Sequence, residues 1–493
     1  MSPSTSHQTL HSFQWSFIEK FGKVTFQLAQ IVILTRFLSK DDFGLVALAL
    51  VSIEFSYLFV DAGLNAGILY IQNASQRALS SVFWLNLGLA VLLYGALCMV
   101  SPLVGNFYEE PLLTEIIPLL GLNILLLAIG RQHRTYLQKS FAFKSIALVE
   151  ITAFAMALIV ALLLAIEGYG LYTLVYSTLL ASLISNLSYL FLRLRKEPIT
   201  FEFDWKELQP FINLGKYQMG SRILDFVSKE TDIFIIGKML SLETLGLYTL
   251  TKQLVLRLYN LINPIFTNVL SPWLSSLQDH PKKQKESYLT ITRFLAYFNF
   301  PIYLSIAVAS YELLNVMYGP EYTSGSLLLF TLAVYYSINT LTNPVGSLQI
   351  ATGRTDLGFY WTLFRASITP VLIYVGILMG GLQGAAWVLL ALSVVLIYPL
   401  WSFQLKPMLQ LDFFEFTKEF TRPLLSFALL AASIQFYVKP LLSQPNYISI
   451  GLIMLTALLI QLGLIRWYDP RFYPQILEIL RSKTKAQTTP HED

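Results

Sequence analysis

Apolar residues run along this chain in blocks of about 20, separated by short stretches of charge, Pro and Gly. A hydrocarbon core of about 30 Å takes about 20 helical residues at 1.5 Å each, so each block predicts a membrane-crossing helix. The blocks lie near 13–37, 43–65, 79–103, 112–130, 145–166, 169–193, 212–238, 243–270, 287–311, 322–346, 357–379, 382–404, 422–442 and 447–467. The fold class predicted is an all-α polytopic membrane protein with about 14 transmembrane helices. The first and seventh carry several charges, which a bilayer tolerates only where they face a polar interior or pair with one another.

Two polar stretches divide the series. Residues 196–211 and 405–421 mix charges with Phe201, Phe203, Trp205 and Leu208 in one, and with Leu411, Phe413, Phe414, Phe416 and Phe420 in the other. Such segments are expected to lie amphipathically at a membrane surface. The predicted organisation is therefore a tail (1–12), an N-lobe of six helices (13–195), a linker (196–211), a C-lobe of six helices (212–404), a second linker (405–421), two further helices (422–467) and a C-terminal tail (468–493). An offset of 202 superposes the two lobes: Ile33 falls on Ile235, Leu38-Ser39 on Leu240-Ser241, Gly44-Leu45 on Gly246-Leu247 and Leu48 on Leu250, while Asp41 meets Glu243 and Arg36 meets Lys238. Six helices per unit is an even number, so the two lobes are predicted to be parallel repeats related by an axis along the membrane normal.

Charge placement predicts orientation, because positive loops stay on the cytoplasmic side. Of the 34 Lys and Arg, 22 lie in the connections after the even-numbered helices and in the C-terminal tail, among them Arg131, Arg134, Lys139 and Lys144 after the fourth helix. Only Arg36, Lys40, Lys238 and Lys439 lie on the opposite side. Both termini are predicted to be cytoplasmic. Composition narrows the function: 55% of the 493 residues are AVILMFWYC, 13% are charged, and the mean hydropathy is +0.57. No segment is long and polar enough for a soluble catalytic or nucleotide-binding domain, and a net charge of +4 gives no reason to expect nucleic acid. The lone Cys98 sits in an apolar block, and His7, His11, His133, His280 and His491 have no paired ligand spacing, so neither metal nor cofactor is expected. Residues 1–12 hold no Lys or Arg, which argues against a cleaved leader.

Intramembrane charges supply the candidate site. On the seventh helix Arg222, Asp225, Lys229 and Asp232 step by three, four and three, one stripe of a helix. The stripe reads either as a self-neutralising staple or as the wall of a polar cavity. The offset pairs Arg222 with Lys20, which neighbours Glu19 and Lys23 on the first helix. Lys252, Arg257 and Arg365 have no acid at i±3 or i±4 in their own helices, and Asp61 and Glu54 on the second helix are candidate partners. Snorkelling to an interface is the plain reading of such cations. The functional reading is an anion site built from Arg222, Lys229, Lys252, Arg257, Arg365, Lys20 and Lys23, with Asp61, Asp225 and Asp232 as cavity acids or coupling groups. Arg suits phosphate because its planar fork donates two parallel hydrogen bonds.

Several stretches carry a family resemblance: Asp61-Ala62-Gly63-Leu64, Ser81-Val82-Phe83-Trp84-Leu85-Asn86, Tyr136-Leu137-Gln138-Lys139 and Ala147-Leu148-Val149-Glu150, then Leu245-Gly246-Leu247-Tyr248 and Thr352-Gly353-Arg354-Thr355-Asp356-Leu357. Together the chain resembles the polysaccharide-exporter and oligosaccharide-flippase branch of the multidrug/oligosaccharidyl-lipid/polysaccharide superfamily, most like exporters of colanic-acid type. The resemblance implies a multi-pass protein of the bacterial plasma (inner) membrane that is a transporter and not an enzyme. It would flip polyprenyl-pyrophosphate-linked oligosaccharide by alternating access and work beside polymerases and glycosyltransferases of a polysaccharide pathway. A cation-coupled multidrug antiporter of the same superfamily is the alternative. A membrane polymerase or glycosyltransferase fits less well, because the longest outer connections are about ten residues.

Overall fold

The computed structural model describes residues 3–61, 64, 67–68, 71, 74–194, 199–433, 450–453 and 455. Its elements are helices, with no strand among the described residues. In chain order they are α1 (Pro3–Leu34), α2 (Lys40–Asp61), α3 (Gln76–Tyr108), α4 (Leu112–Lys139), α5 (Phe143–Ile166), α6 (Tyr172–Leu194), α7 (Trp205–Met239), α8 (Leu242–Ser275), α9 (Pro281–Val308), α10 (Ser310–Met317), α11 (Ser326–Asn339), α12 (Asn343–Thr352), α13 (Thr355–Val395) and α14 (Phe413–Ser433). Eight described segments are long and apolar enough to cross a membrane: Lys40–Val60, Gln76–Tyr108, Leu112–Lys139, Phe143–Ile166, Tyr172–Arg193, Pro281–Val308, Pro320–Thr352 and Thr355–Leu409. The last has 55 residues. At 1.5 Å per residue it exceeds one crossing, and it is broken at Gly380-Gly381, where Gly381 takes φ +56°. The two halves then run back past one another, close enough that a Cβ on Gly384 would stand 2.0 Å from the Gly376 carbonyl oxygen.

The chain divides into two compact units. One comprises Met1–Arg257 and Phe359–Leu389, the other Leu258–Gly358 and Leu390–Asp493. In the first unit α5 shows why the helices pack as they do. Ala147, Ala153, Ala157, Ala161 and Ala165 recur at helical spacing and are buried, while Leu148, Met156, Ile159, Leu163 and Ile166 point outward. Small residues let neighbouring helix backbones approach, and large apolar ones face away, as suits a helix with lipid on its outer side. α1 and α6 pack against α5, α4 packs between α3 and α6, and α2 lies against α4 and α7.

The described part of the first predicted linker, from residue 199 on, is docked. The Trp84 indole donates to the Thr200 carbonyl at 2.9 Å, Ser81 Oγ accepts from the Asp204 amide at 2.8 Å, and Phe201 stacks on Trp84. Leu208 and Phe211, already in the first turns of α7, are buried with Leu64, Ile68 and Val82. In the second unit α14 begins at Phe413, so it takes in part of the second predicted linker as well as the start of the thirteenth predicted helix. It packs on α9 with Phe416 and Phe420 buried, and the ion pairs Lys285–Glu415 (2.6 Å) and Arg293–Glu419 join the two helices. Most of the fourteenth predicted helix and the tail 468–493 lie outside the described residues.

Candidate functional site

Within the first unit six helices, α1, α2, α4, α5, α6 and α8, surround a cavity of about 530 Å³. Each polar wall is one face of a helix: Lys23, Gln27 and Gln30 on α1, Asn123, Arg131 and Arg134 on α4, and Gln253 and Arg257 on α8, all at multiples of three and four residues. α6 adds Ser177, Ser182, Asn186 and Tyr189, α5 adds Glu150, and α2 contributes the apolar Phe43, Val46 and Leu50. Among the described lining residues Lys23, Arg131, Arg134 and Arg257 are cationic and Glu150 alone is acidic.

The charged groups gather where α1, α4, α5 and α6 meet. Glu150 Oε2 is 3.2 Å from Lys23 Nζ, its Oε1 accepts from the Tyr189 hydroxyl at 2.7 Å and lies 3.6 Å from Arg134 Nε. Arg134 Nη2 also donates to Glu19 at 2.8 Å. Further along, the lining is neutral. Gln30 donates to Ser177 Oγ at 2.9 Å, Ser182 donates to Asn123 Oδ1, and Asn186 donates to the Ser182 carbonyl at 2.8 Å. Arg257 links α8 to α1, donating to Gln27 at 2.8 Å and to Gln253 at 3.1 Å. Both of these partners are neutral amides.

The other predicted residues are placed elsewhere. Lys252 is buried on α8 with Asp232 Oδ2 at 2.9 Å and Glu230 at 3.5 Å, both on α7. It donates to the Lys229 carbonyl, and the Tyr248 hydroxyl donates to Asp232. Its described acid partners thus include α7 residues beyond the α2 pair considered in sequence. Lys229 pairs with Asp225 within α7 at 2.7 Å, on an exposed face. Lys20 is exposed on α1, and Arg365 is half-buried on α13 away from the cavity lining. The side chains of Arg222 and Asp61 lie outside the described residues. Arg131 and Arg134 were not singled out in sequence, because the fourth predicted helix stops at 130 and they then count as loop cations. α4 instead continues to Lys139, carrying both guanidiniums inside the bundle.

Residues 33–327 match the family described as polysaccharide biosynthesis protein. The chain belongs to that family. Among curated proteins it is similar to the teichuronic acid biosynthesis protein TuaB of Bacillus subtilis (strain 168), at 27% identity over 80% of this chain and 81% of that one. It is also similar to the lipopolysaccharide biosynthesis protein WzxC of Escherichia coli (strain K12), at 24% identity over 82% of each. Its fold is like that of a solved lipid II flippase MurJ in an inward closed conformation, with TM-score 0.72 and 14% identity over 94% of this chain and 100% of that chain. An inward-facing multidrug resistance MATE family transporter of the MOP superfamily gives TM-score 0.59 and 13% identity, covering 82% and 95%.

For this family member the cavity offers two chemistries side by side. A cationic end can take an anion through charge-assisted, partly bidentate hydrogen bonds. The amide and hydroxyl strip can exchange hydrogen bonds with the hydroxyls of a sugar. Apolar helix faces enclose both, which lowers the local dielectric and strengthens each contact relative to water.

Proposed function

We propose that the protein carries a polyprenyl-pyrophosphate-linked oligosaccharide across the bacterial plasma membrane. The glycan and pyrophosphate pass through the cavity while the polyprenyl tail stays in lipid. The observation that carries this reading is a roughly 530 Å³ cavity whose described lining holds four cations and one acid beside a strip of neutral amides and hydroxyls. An ionised pyrophosphate moved unaided into hydrocarbon would lose its hydration at a cost of tens of kcal/mol by Born solvation. Lys23, Arg131, Arg134 and Arg257 replace that hydration. The volume falls in the range of about 300–1,000 Å³ usual for ligand pockets, enough for the anion and its nearest sugars, with a longer glycan extending beyond it. The relatives named for teichuronic acid and lipopolysaccharide biosynthesis belong to glycan pathways, in keeping with a polyprenyl-linked cargo. Cationic drugs, the cargo of an antiporter, would be repelled by this lining.

Transport proceeds by alternating access, with the cavity opening first to one membrane face and then to the other. The parallel six-helix repeats read from the 202 offset supply the symmetry for two such states. They are supported by Gly44 and Gly246, matched by that offset and packed reciprocally against each other's helix. With Arg131 and Arg134 set aside as bundle residues, 20 Lys and Arg of the even-numbered connections and C-terminal tail stand against 4, so both termini and those connections sit in the cytoplasm, and polymerases and glycosyltransferases of the pathway handle the same lipid-linked intermediates. The test is flipping of two lipid-linked oligosaccharides that share a pyrophosphate and differ in sugars, in vesicles of reconstituted protein. Arg131→Gln and Arg257→Gln should each slow both substrates about tenfold or more, since a hydrogen bond to a charged group is worth about 1.5–3 kcal/mol and 1.4 kcal/mol is tenfold. Unchanged rates for both variants at equal protein density would remove the cavity from the transport path.

A further inference from the structure

Glu150 is the one acid among the described lining residues and lies within the buried face of α5, where Ala147, Ala153 and Ala157 are its small buried neighbours. A carboxylate there is costly unless it is paired and hydrogen-bonded. It is held from three different helices: Lys23 from α1, Arg134 from α4 and the Tyr189 hydroxyl from α6. Two of those three partners, Lys23 and Arg134, are cations of the anion site. Glu150 therefore stands where a ligand phosphate oxygen would stand with respect to them.

We infer that Glu150 is the resident counter-ion of this cavity, a carboxylate that competes with the substrate's pyrophosphate for Lys23 and Arg134. The inference rests on reading the cavity as the anion site. The arrangement suits an exchange. Arg134 keeps Glu19 at 2.8 Å when Glu150 lets go, so it is never stranded, and the side chain of Lys23 is 37% exposed, free to turn from Glu150 toward a ligand. The groups facing Glu150 and its neighbours are Glu19 and Lys23 on α1, Arg131 and Arg134 on α4, Tyr189 on α6 and Arg257 on α8.

Once its cations have turned to the anion, the buried carboxylate takes one proton from cavity water and becomes a neutral acid. Anion binding is thereby linked to uptake of a proton, and by linkage it strengthens as pH falls. The competition also explains why a strongly cationic cavity would release its cargo. Glu150 reclaims Lys23 and Arg134 as the anion leaves, so neither side of the exchange faces bare charges.

The experiment measures binding of farnesyl-pyrophosphoryl-glucose, a short-chain pyrophosphate diester whose two phosphates stay ionised through the carboxylate range, to the full-length protein in lipid nanodiscs. Glu150→Gln should bind at least about tenfold tighter than wild type at neutral pH, because a charged competitor is removed, and its affinity should no longer rise as pH is lowered. Glu150→Asp keeps the charge and should retain the pH dependence. If Arg131→Gln and Arg257→Gln weaken binding while Glu150→Gln binds no tighter than wild type, Glu150 is a structural partner only and the inference is overturned. If none of the cavity substitutions changes binding, the reading of the cavity as anion site falls, and the inference with it. Should Glu150→Gln fail to assemble, the wild-type pH series decides: affinity that is flat or falls with decreasing pH contradicts the competition.

Discussion

Lys252 and Arg257 lie five residues apart on α8 and make different contacts. Lys252 is buried against Asp232 and Glu230, while Arg257 reaches neutral amides in the cavity wall. Breaking a buried pair by removing one partner leaves an uncompensated charge and costs about 3–5 kcal/mol. Lys252→Met should therefore lower the melting temperature of the purified protein sharply. Lys252→Met combined with Asp232→Leu should recover part of the loss, and a double-mutant cycle on thermal melting reads the coupling. Equal and additive losses would show that the pair is not an energetic unit. Sequence spacing picked out Arg257 because an isolated cation in an apolar block is conspicuous, and Lys23 because it neighbours Glu19 and Lys20 on the charged first helix. It passed over Arg131 and Arg134 because they follow Gly130 at the end of an apolar run, where a cation ordinarily marks the membrane boundary. Arg134 stays inside because it pairs with Glu19 and Glu150, and Arg131 lines the polar cavity. Gln27, Gln30 and Asn186 were illegible for another reason: a neutral amide costs little enough that its presence in a helix carries no signal until a neighbouring helix supplies the partner.

At the scale of elements, helical periodicity and block length located α1 to α8 to within several residues at most ends. What it could not show was continuity: α7 starts at Trp205, inside the first predicted surface linker, and α14 at Phe413, inside the second. Amphipathic residues at the mouth of a helix look alike in sequence whether they lie on a membrane or cap a bundle. The repeat offset did make a specific match, Gly44 with Gly246, and these glycines pack together. A Cβ on Gly246 would stand 1.8 Å from the Lys40 carbonyl oxygen, and one on Gly44 would stand 2.2 Å from that of Leu242. Lys40 and Glu243 bridge the same crossing at 2.9 Å. Because the obstructing atoms are backbone, no rotamer change relieves them. Gly246→Val should destabilise the protein by about 1–3 kcal/mol, the usual cost of overpacking. Gly88→Ala, with nothing within 4 Å of its added Cβ, is the control that should leave melting unchanged. Equal melting for the two variants would contradict a close crossing of α2 and α8.

At the scale of the whole molecule, apolar helix exteriors and a polar interior put the chain in a membrane with its chemistry inside. Large side chains such as Leu92, Met99 and Leu103 on α3 and Ile159 and Leu163 on α5 are exposed, while the cavity polar groups turn inward. The loop cations further predict that reporters fused within 281–285 lie in the cytoplasm and those near Glu109 lie outside; the reverse assignment would overturn the predicted orientation, and both reporters on one side would undo the parallel-repeat arrangement. The central claim, that the saccharide head travels through this cavity, is tested most directly by where a moving substrate touches the protein. A lipid-linked oligosaccharide with a photoreactive group on its first sugar would be irradiated in membranes containing the protein, and the adducts mapped by mass spectrometry. The account predicts adducts on the cavity faces of α1, α4 and α6, near Gln30, Asn123 and Ser177, that fade in Arg257→Gln. Adducts confined to outward faces such as Leu92 or Met99, with none on those three helix faces while flipping proceeds, would contradict it.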